Sequence, residues 1–238
     1  MYKNKVVLIT GASRGVGLSL VKHFIKNKAF VIGISRSESD FTDPSYCHFS
    51  VDLADPEAIT KMFKREIQKQ FKKLDIVINN AAVLTSQYSM VLPMKNAIDM
   101  VNVNLLGVFF ISREAVKLMR NSDQGRIINI GSMAVSLEPI GDALYAATKA
   151  GINTLANVMS KEFSNYNVTC NTLSISAIDT DMLYQHSDIA RLKIDEIINN
   201  LPVPRKALME DVLNVVDFYA SDRSSYITAQ TIYLGGVN

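Results

Sequence analysis

The chain has 238 residues, of which 48% are hydrophobic and 20% are charged, and its 25 basic and 23 acidic side chains leave a formal charge of +2. These values exclude a disordered chain and favour a globular protein with a single domain over residues 1–238. The basic residues are spread along the chain without the clustered face that binding to a phosphate backbone needs, so we expect no nucleic-acid partner.

Cysteine and histidine usage offers little for disulfides or metals. Cys47 and Cys170 are too few and too far apart in sequence for a disulfide framework or a zinc site, so we expect reduced thiols, no metal and a cytoplasmic protein. The histidines lack nearby ligand partners and are expected to be structural or solvent-facing. They are His23, His48 and His186. The apolar run at 6–9 is too short for a signal peptide or a membrane span, so no membrane partner is expected.

Short apolar runs recur along the chain in the manner of buried strands. They lie at 6–9, 30–34, 76–78, 127–130, 168–173 and 231–234, and most do not alternate apolar with polar residues. Between them, 95–120 and 143–163 show the apolar spacing of amphipathic helices. Strands that alternate with helices predict an α/β fold with a doubly wound parallel sheet, Rossmann-like and undivided. Ligands of such sheets bind outside the carboxyl ends of the strands.

A glycine-rich turn follows the first predicted strand. Its sequence is Thr10-Gly11-Ala12-Ser13-Arg14-Gly15-Val16-Gly17, and a helical stretch comes next. Glycines allow a tight turn and a close approach to a pyrophosphate, which then lies at the positive end of the helix. A plain strand-to-helix connection is the alternative, but the position after strand one favours a nucleotide. The predicted contacts are Gly11, Ser13, Arg14, Gly15, Val16 and Gly17.

The end of the second predicted strand indicates which dinucleotide is bound. A carboxylate at this place accepts hydrogen bonds from the adenosine ribose and repels a 2′-phosphate. Here the residues are Ser35 and Arg36. A serine hydroxyl can donate to phosphate and a guanidinium can bind it in a fork, with Arg14 approaching from the other side. We therefore expect NADP(H), unless both arginines are solvated loop charges.

Tyr145 and Lys149 are four residues apart, so they share one face of a predicted helix. The pKa of a tyrosine is near 10, and a neighbouring ammonium lowers it by stabilising the phenolate. Ser132, at a predicted strand end, offers a hydroxyl that can hydrogen-bond a carbonyl oxygen. This set favours proton transfer to a carbonyl or from an alcohol. A chance Tyr-x-x-x-Lys on an exposed helix is the other interpretation.

These motifs, in this order and over nearly the whole chain, resemble the short-chain dehydrogenase/reductase family. The glycine loop matches its TGxxxGxG pattern, Asn79-Asn80-Ala81-Ala82 its NNAG pattern, and Tyr145 to Lys149 its YxxxK pattern. Asp52-Leu53, Asn104, Ser132 and Ile178-Asp179-Thr180 also fall at matching places. The chain is similar to the 3-oxoacyl-acyl carrier protein reductases of this family. The middle glycine of the extended branch, which contains dehydratases and epimerases, falls one residue earlier, at Arg14.

The resemblance implies an oxidoreductase that moves a hydride between NADP(H) and a small carbonyl or alcohol substrate, most often as a ketone reductase. Tyr145 is then the proton donor, Lys149 also holds the nicotinamide ribose, and Asn104 supports a water that restores the proton. The remaining implied cofactor contacts are Asp52, Leu53, Asn80, Ala81, Ala82, Ile178 and Thr180. The family also implies a homotetramer or homodimer that pairs through the two long helices and the carboxyl end of the chain. It further implies a substrate lid at about 181–204.

One loop departs from the family pattern. Relatives carry Pro-Gly after the sixth strand, where this chain has Ile175 and Ser176, so we expect a differently shaped turn. A nucleotide-binding regulatory or scaffolding protein that kept the fold and lost its chemistry is the alternative function. Such proteins typically lose the tyrosine or the lysine, and Tyr145 and Lys149 are both present. The sequence leaves the substrate open.

Overall fold

The computed structural model describes residues 1–178 and 195–237, and in this part of the chain seven strands form one parallel sheet. The strands are β1 (Val6–Thr10), β2 (Phe30–Ser35), β3 (Tyr46–Ser50), β4 (Ile76–Asn79), β5 (Gly125–Ser132), β6 (Val168–Ile175) and β7 (Thr231–Tyr233). Their spatial order is β3-β2-β1-β4-β5-β6-β7. The order reverses between β1 and β4, which is where ligands bind in open α/β sheets.

Helices connect the strands and cover both faces of the sheet. They are α1 (Gly15–Lys26), α2 (Pro56–Met62), α3 (Met94–Met119), α4 (Ala134–Leu137), α5 (Ala143–Glu162) and α6 (Met209–Ala220). A π-helical stretch, Phe63–Ile67, and a last turn, Gln68–Gln70, extend α2, and the middle of α3, Asn102–Gly107, is also π-helical. A further helical segment includes 195–199. Single 3₁₀ turns lie at Ser164–Tyr166, Asp222–Ser224 and Leu234–Gly236.

Each face of the sheet carries its own hydrophobic core. Along β1, Leu8 packs on one face with residues of α2 and α3, while Val7 and Ile9 pack on the other with residues of α1 and α6. Successive side chains of a strand point to opposite faces, and here both faces are covered. The central strands therefore consist of continuous apolar runs instead of an alternating pattern.

The predicted fold class is confirmed: a doubly wound, parallel, Rossmann-like sheet in a single domain. The predicted helices at 95–120 and 143–163 correspond to α3 and α5 within a residue of each end. β3 has no apolar run because it is an edge strand, and its residues are only partly buried. Its sequence mixes aromatic and polar side chains, so hydrophobicity alone does not reveal it.

The turn after β6 contains Ile175 and Ser176 in place of Pro-Gly, and its difference in shape from the turn of relatives stays a prediction. Ser176 does not have a positive φ, and the Ile175 carbonyl accepts a hydrogen bond from the backbone of Met133 at 2.9 Å. The Ala177 carbonyl then accepts from the Ala207 amide at 2.8 Å. Backbone pairing therefore holds this turn without a residue in the left-handed region. Of the predicted lid at 181–204, positions 181–194 lie outside the described residues.

Candidate active site

A cavity of about 230 Å³, partly open to solvent, lies along the carboxyl edge of the sheet at the point where strand order reverses. It extends from the glycine loop after β1 to Tyr145 on α5. Every predicted cofactor residue within the described ranges lines it. These are Gly11, Ser13, Arg14, Gly15, Val16, Gly17, Ser35, Arg36, Asp52, Leu53, Asn80, Ala81, Ala82, Tyr145, Lys149 and Ile178. Thr180 lies outside the described residues.

The glycine loop requires glycine because its backbone packs against itself. A Cβ on Gly17 would lie 2.0 Å from the Gly11 carbonyl oxygen, and Gly11 has a φ of +68°. The first turn of α1 contains no acidic residue, and no side chain caps its N-terminus. Its free N–H groups and the positive end of the helix dipole therefore face the cavity, which is the arrangement that binds a phosphate group.

Asn80 connects the glycine loop to the end of β4. Its side-chain amide donates to the Thr10 carbonyl at 2.9 Å, while the Thr10 hydroxyl accepts from the backbone N–H groups of Asn80 and Ala81 at 3.0 Å each. A Cβ on Gly11 would meet the Asn80 amide nitrogen at 2.8 Å. In this structure Asn80 thus acts on the cavity by fixing the loop that lines it.

Two arginines border the far end of the cavity. Arg14 precedes α1 and Arg36 follows β2, and both are exposed. Neither carries an ion pair within the described residues. Ser35, by contrast, is buried and donates its hydroxyl hydrogen to the Ser37 carbonyl at 2.6 Å. In this structure its one hydrogen is used within the turn, and the contact of this hydroxyl with a phosphate stays a prediction.

Tyr145 is buried beside the ends of β5 and α4. Burial raises its pKa to about 12, the neighbouring Ser132 hydroxyl acts in the lowering direction, and the Asp142 carboxylate raises it further. The Ser132 hydroxyl oxygen also accepts from the backbone of Ala134 at 3.1 Å. Asp142 is half-buried, and one of its carboxylate oxygens is buried without a partner. This carboxylate therefore belongs to the surroundings of Tyr145.

Lys149 lies one helical turn beyond Tyr145, with its nitrogen 5.8 Å from the centre of the tyrosine ring. The nitrogen donates to the Ile130 carbonyl at 2.8 Å, and burial lowers the pKa of Lys149 to about 8. The lowering of the Tyr145 pKa by Lys149 stays a prediction, because in this structure burial moves the pKa of the phenol upward. Burial of the phenol outweighs a charge that is itself costly to bury.

Asn104 lies in the π-helical middle of α3 and is fully buried. Its amide donates to the Val83 carbonyl at 2.9 Å and accepts from the Val83 N–H at 2.8 Å. A longer bond of 3.3 Å reaches the Thr148 hydroxyl on α5. Asn104 thus links α3 to the loop after β4 and to the helix that carries Tyr145. The water that the resemblance places here stays a prediction.

The cavity also contains residues that were not among the predicted cofactor contacts. They are Ser37, Val51, Val83, Val103, Ile130, Gly131 and Ile175. Most follow or end a strand at the same edge of the sheet, and this position is the signal by which they could have been found. Ser132 and Asn104 are not part of the lining, although Ser132 hydrogen-bonds Tyr145 and Asn104 hydrogen-bonds Thr148 on the same helix. Among the described residues, no group of three His, Cys, Asp or Glu side chains comes together.

Comparison with known sequences places this geometry in a family. Residues 5–189 match the short chain dehydrogenase family. The 3-oxoacyl-[acyl-carrier-protein] reductase FabG of Escherichia coli is 31% identical to the chain over 241 aligned positions, which cover 99% of this chain and 97% of that protein.

Solved structures show the same architecture. The ligand-free aldohexose dehydrogenase of Thermoplasma acidophilum superposes with a TM-score of 0.90 at 24% identity, covering 99% of this chain and 94% of the other. A 4-hydroxyisoleucine dehydrogenase complexed with NADH superposes with a TM-score of 0.90 at 25% identity, covering 98% of each chain. The first likeness concerns the fold alone, and the second was solved with a nicotinamide dinucleotide bound.

Proposed function

Because the chain belongs to the short-chain dehydrogenase family, we propose that it is an NADP(H)-dependent oxidoreductase that reduces the carbonyl group of a small molecule. The observation that carries this proposal is the placement of Tyr145 and Lys149 at one end of the cavity and of the glycine loop at the other. The cavity thus joins a phosphate-binding turn to a protonated phenol.

The residues present fit a dinucleotide. The glycine loop has no room for side chains at Gly11 and Gly17, and the uncapped start of α1 points toward the cavity. A pyrophosphate at this place is stabilised by the free N–H groups and the helix dipole. Asp52, Leu53 and Ile178 also line the cavity. Asp52 and Leu53 are proposed to contact the adenine, and Ile178 and Thr180 the nicotinamide.

A 2′-phosphate is favoured by the charges at the adenosine end. β2 ends in Ser35 instead of an acidic residue, and Arg14 and Arg36 stand exposed beside it. Two charge-assisted contacts of about 1.5 kcal/mol each correspond to a preference for NADPH of about a hundredfold. A 4-hydroxyisoleucine dehydrogenase of the same fold was solved with NADH, so the preference is measured with both dinucleotides.

The bound cofactor supplies the hydride, and the protein supplies the proton and the orientation. Ser132 donates a hydrogen bond to the substrate carbonyl oxygen, which holds the carbon for attack. Tyr145, protonated at neutral pH, gives its proton to the same oxygen as the alcohol forms. Lys149 holds the cofactor ribose and restores charge balance beside the phenolate that remains. Asn104 keeps the surrounding helices in place and supports the water that reprotonates Tyr145.

Tyr145 belongs to a small apolar cluster with Met100 and Ala134. The side chains packed against this cluster include Val83, Leu84, Leu92 and Leu144. We therefore infer a substrate with an apolar portion next to its carbonyl group. A 3-oxoacyl chain, as named for the Escherichia coli relative, has this character.

The long helices provide a surface for self-association. α3 is the one helix among the described residues that is long and apolar enough to cross a membrane by those two criteria. Ile111, Ala115 and Met119 on this helix are buried against the sheet, while Ile98 and Leu106 remain exposed. We infer that a second copy of the chain covers this surface in a homodimer or homotetramer, and that no membrane or nucleic acid does so.

Two free cysteines, Cys47 and Cys170, favour the cytoplasm.

The function can be tested with NADPH that carries deuterium at the transferred position. The protein is incubated with a panel of ketones, 3-oxoacyl thioesters and aldehydes, and the products are analysed by mass spectrometry. An alcohol that has gained one deuterium supports the proposal. Binding of NADPH without any product across the panel favours the regulatory or scaffolding alternative.

A further inference from the structure

A hydrogen-bonded cluster lies beneath the adenosine end of the cavity and joins β2 to β3. The Tyr46 hydroxyl lies 2.8 Å from Nδ1 of His48. Nε2 of His48 lies 3.0 Å from the Ser37 carbonyl oxygen and 3.1 Å from the Ser35 hydroxyl. The Ser35 hydroxyl is in turn 2.6 Å from that same carbonyl. Two donors from two strands therefore converge on one oxygen of the turn that contains Arg36.

The acceptors in this cluster determine where its hydrogens lie. A carbonyl oxygen can only accept, so Nε2 of His48 carries a hydrogen and donates it to Ser37. Nδ1 is then the acceptor for the Tyr46 hydroxyl, and the Ser35 hydroxyl donates to Ser37. This arrangement describes a neutral imidazole, and burial accordingly lowers the pKa of His48. Each polar hydrogen of the cluster has a partner.

The sequence around the cluster is adapted to it. A Cβ on Gly33 would lie 2.2 Å from the Tyr46 hydroxyl oxygen, so the tyrosine ring can lie across β2 only because residue 33 is glycine. Phe41 packs against the Tyr46 ring at 5.5 Å between centroids, with the rings inclined by 62°. The tyrosine is thus held from two sides, and its hydroxyl is kept beneath His48.

The turn above the cluster has few other restraints. Ser35 ends β2, and Arg36, Ser37 and Glu38 are exposed. Arg36 and Ser37 nevertheless line the cavity. A flexible turn loses conformational entropy when Arg36 binds a phosphate. A turn that is already fixed loses less, so binding is stronger.

We propose that His48 is a positioning residue: by fixing the Ser37 carbonyl it holds Arg36 at the cavity and sets the preference for a cofactor with a 2′-phosphate. This inference rests on the proposed function, since it requires that Arg36 binds that phosphate. Ser35 acts with His48 from the other side of the same oxygen. The Ser35 side chain stabilises the turn, and Arg36 binds the ligand.

The test is a fluorescence titration that measures the Kd of NADPH and of NADH and needs no carbonyl substrate. His48→Ala should weaken NADPH binding by roughly 3- to 10-fold, the size of one lost hydrogen bond, and weaken NADH binding far less. His48→Gln should recover most of the difference, because its amide can donate to Ser37. Tyr46→Phe, which keeps the ring and removes the hydroxyl, should shift the ratio in the same direction. Tyr46→Phe tests the proposal if His48→Ala fails to fold.

His23→Gln is the matched control, because His23 pairs with Asp217 at 2.8 Å and is not part of the cavity lining. It should leave the ratio of the two Kd values unchanged. An equal loss of NADPH and NADH affinity in His48→Ala, or no rescue by His48→Gln, would overturn the positioning role. A wild-type protein that binds both cofactors equally would instead overturn the proposed NADP(H) preference itself. The two failures are therefore distinguishable.

Discussion

The ammonium nitrogen of Lys149 lies 5.8 Å from the centre of the Tyr145 ring, and both side chains are buried. Burial acts on the two groups in opposite directions: it raises the pKa of Tyr145 to about 12 and lowers that of Lys149 to about 8. At neutral pH the phenol therefore keeps its proton while the lysine is mostly charged. This is the protonation state that donation to a carbonyl requires.

The pH dependence of carbonyl reduction follows from these values. A group whose pKa is lowered to about 8 is charged below that pH and neutral above it, so reduction should fall as the pH rises through about 8. Tyr145 still holds its proton in that range and does not limit the rate. The measurement is kcat/KM for reduction from about pH 6 to pH 10, with a control in which enzyme held at each pH is returned to neutral buffer. A flat profile up to pH 10 would exclude this role for Lys149.

Cofactor preference depends on charge at the end of β2. Replacing Ser35 with Asp and Arg36 with Ala introduces a carboxylate and removes one guanidinium, so most of a roughly hundredfold preference for NADPH should disappear or reverse. Steady-state kinetics with NADPH and NADH measure it. Arg120→Ala, which removes an exposed arginine outside the cavity, should leave the preference intact. A wild-type enzyme equally efficient with both cofactors contradicts the assignment of Arg14 and Arg36.

Ala229 has a φ of +58°, in the region where an L-residue is strained. Its N–H donates to the Cys170 carbonyl at 2.8 Å, so the backbone cannot relax without losing this bond. Ala229→Gly should raise the free energy of unfolding by about 0.5–1 kcal/mol, measured by denaturant titration. Ala150→Gly, at an exposed position in α5, should lower it by about 1 kcal/mol. Two changes of equal sign would show that the strain at Ala229 is absent.

Self-association should depend on α3. In the single chain, Leu106 is 39% exposed and Ile98 is 52% exposed, so both side chains are free for a partner to cover. Light scattering at micromolar concentration should give the mass of a dimer or tetramer, and Leu106→Glu should lower it by placing a charge in the contact. Tyr166→Glu, at a 45% exposed position on the turn after α5, is the control. A wild-type monomer would be inconsistent with the proposed assembly.

Short-range patterns predicted much of the site. The positive φ of Gly11 and the contact of Gly17 with the Gly11 carbonyl arise within one turn, and the spacing of Tyr145 and Lys149 within one helix, so neighbouring residues suffice to recognise them. The fold was predictable for a similar reason, because strands covered on both faces consist of continuous apolar residues. β3 was the exception, since an edge strand needs no such run.

The sequence could not supply properties that arise from packing across the fold. The pKa of Tyr145 depends on how deeply the sheet and α5 bury the phenol, which the four-residue spacing does not reveal. The hydrogen bond from the Ser35 hydroxyl to Ser37 depends on the conformation of the turn, so the sequence could not reveal it. No sequence motif identified His48, because its contacts with the end of β2 form only when β3 pairs with β2.

The central claim is that Tyr145 donates the proton during reduction by NADPH. Tyr145→Phe keeps the ring and its packing and removes only the hydroxyl, so NADPH affinity should stay within about twofold. General acid catalysis contributes roughly 10²–10⁴-fold, so turnover with a carbonyl substrate should fall by at least about a hundredfold. The decisive measurement is kcat for NADPH oxidation by wild type and Tyr145→Phe, with the Kd of NADPH measured in parallel. A variant with unchanged Kd and strongly reduced kcat agrees with the proposed mechanism, and one with near-normal kcat contradicts it.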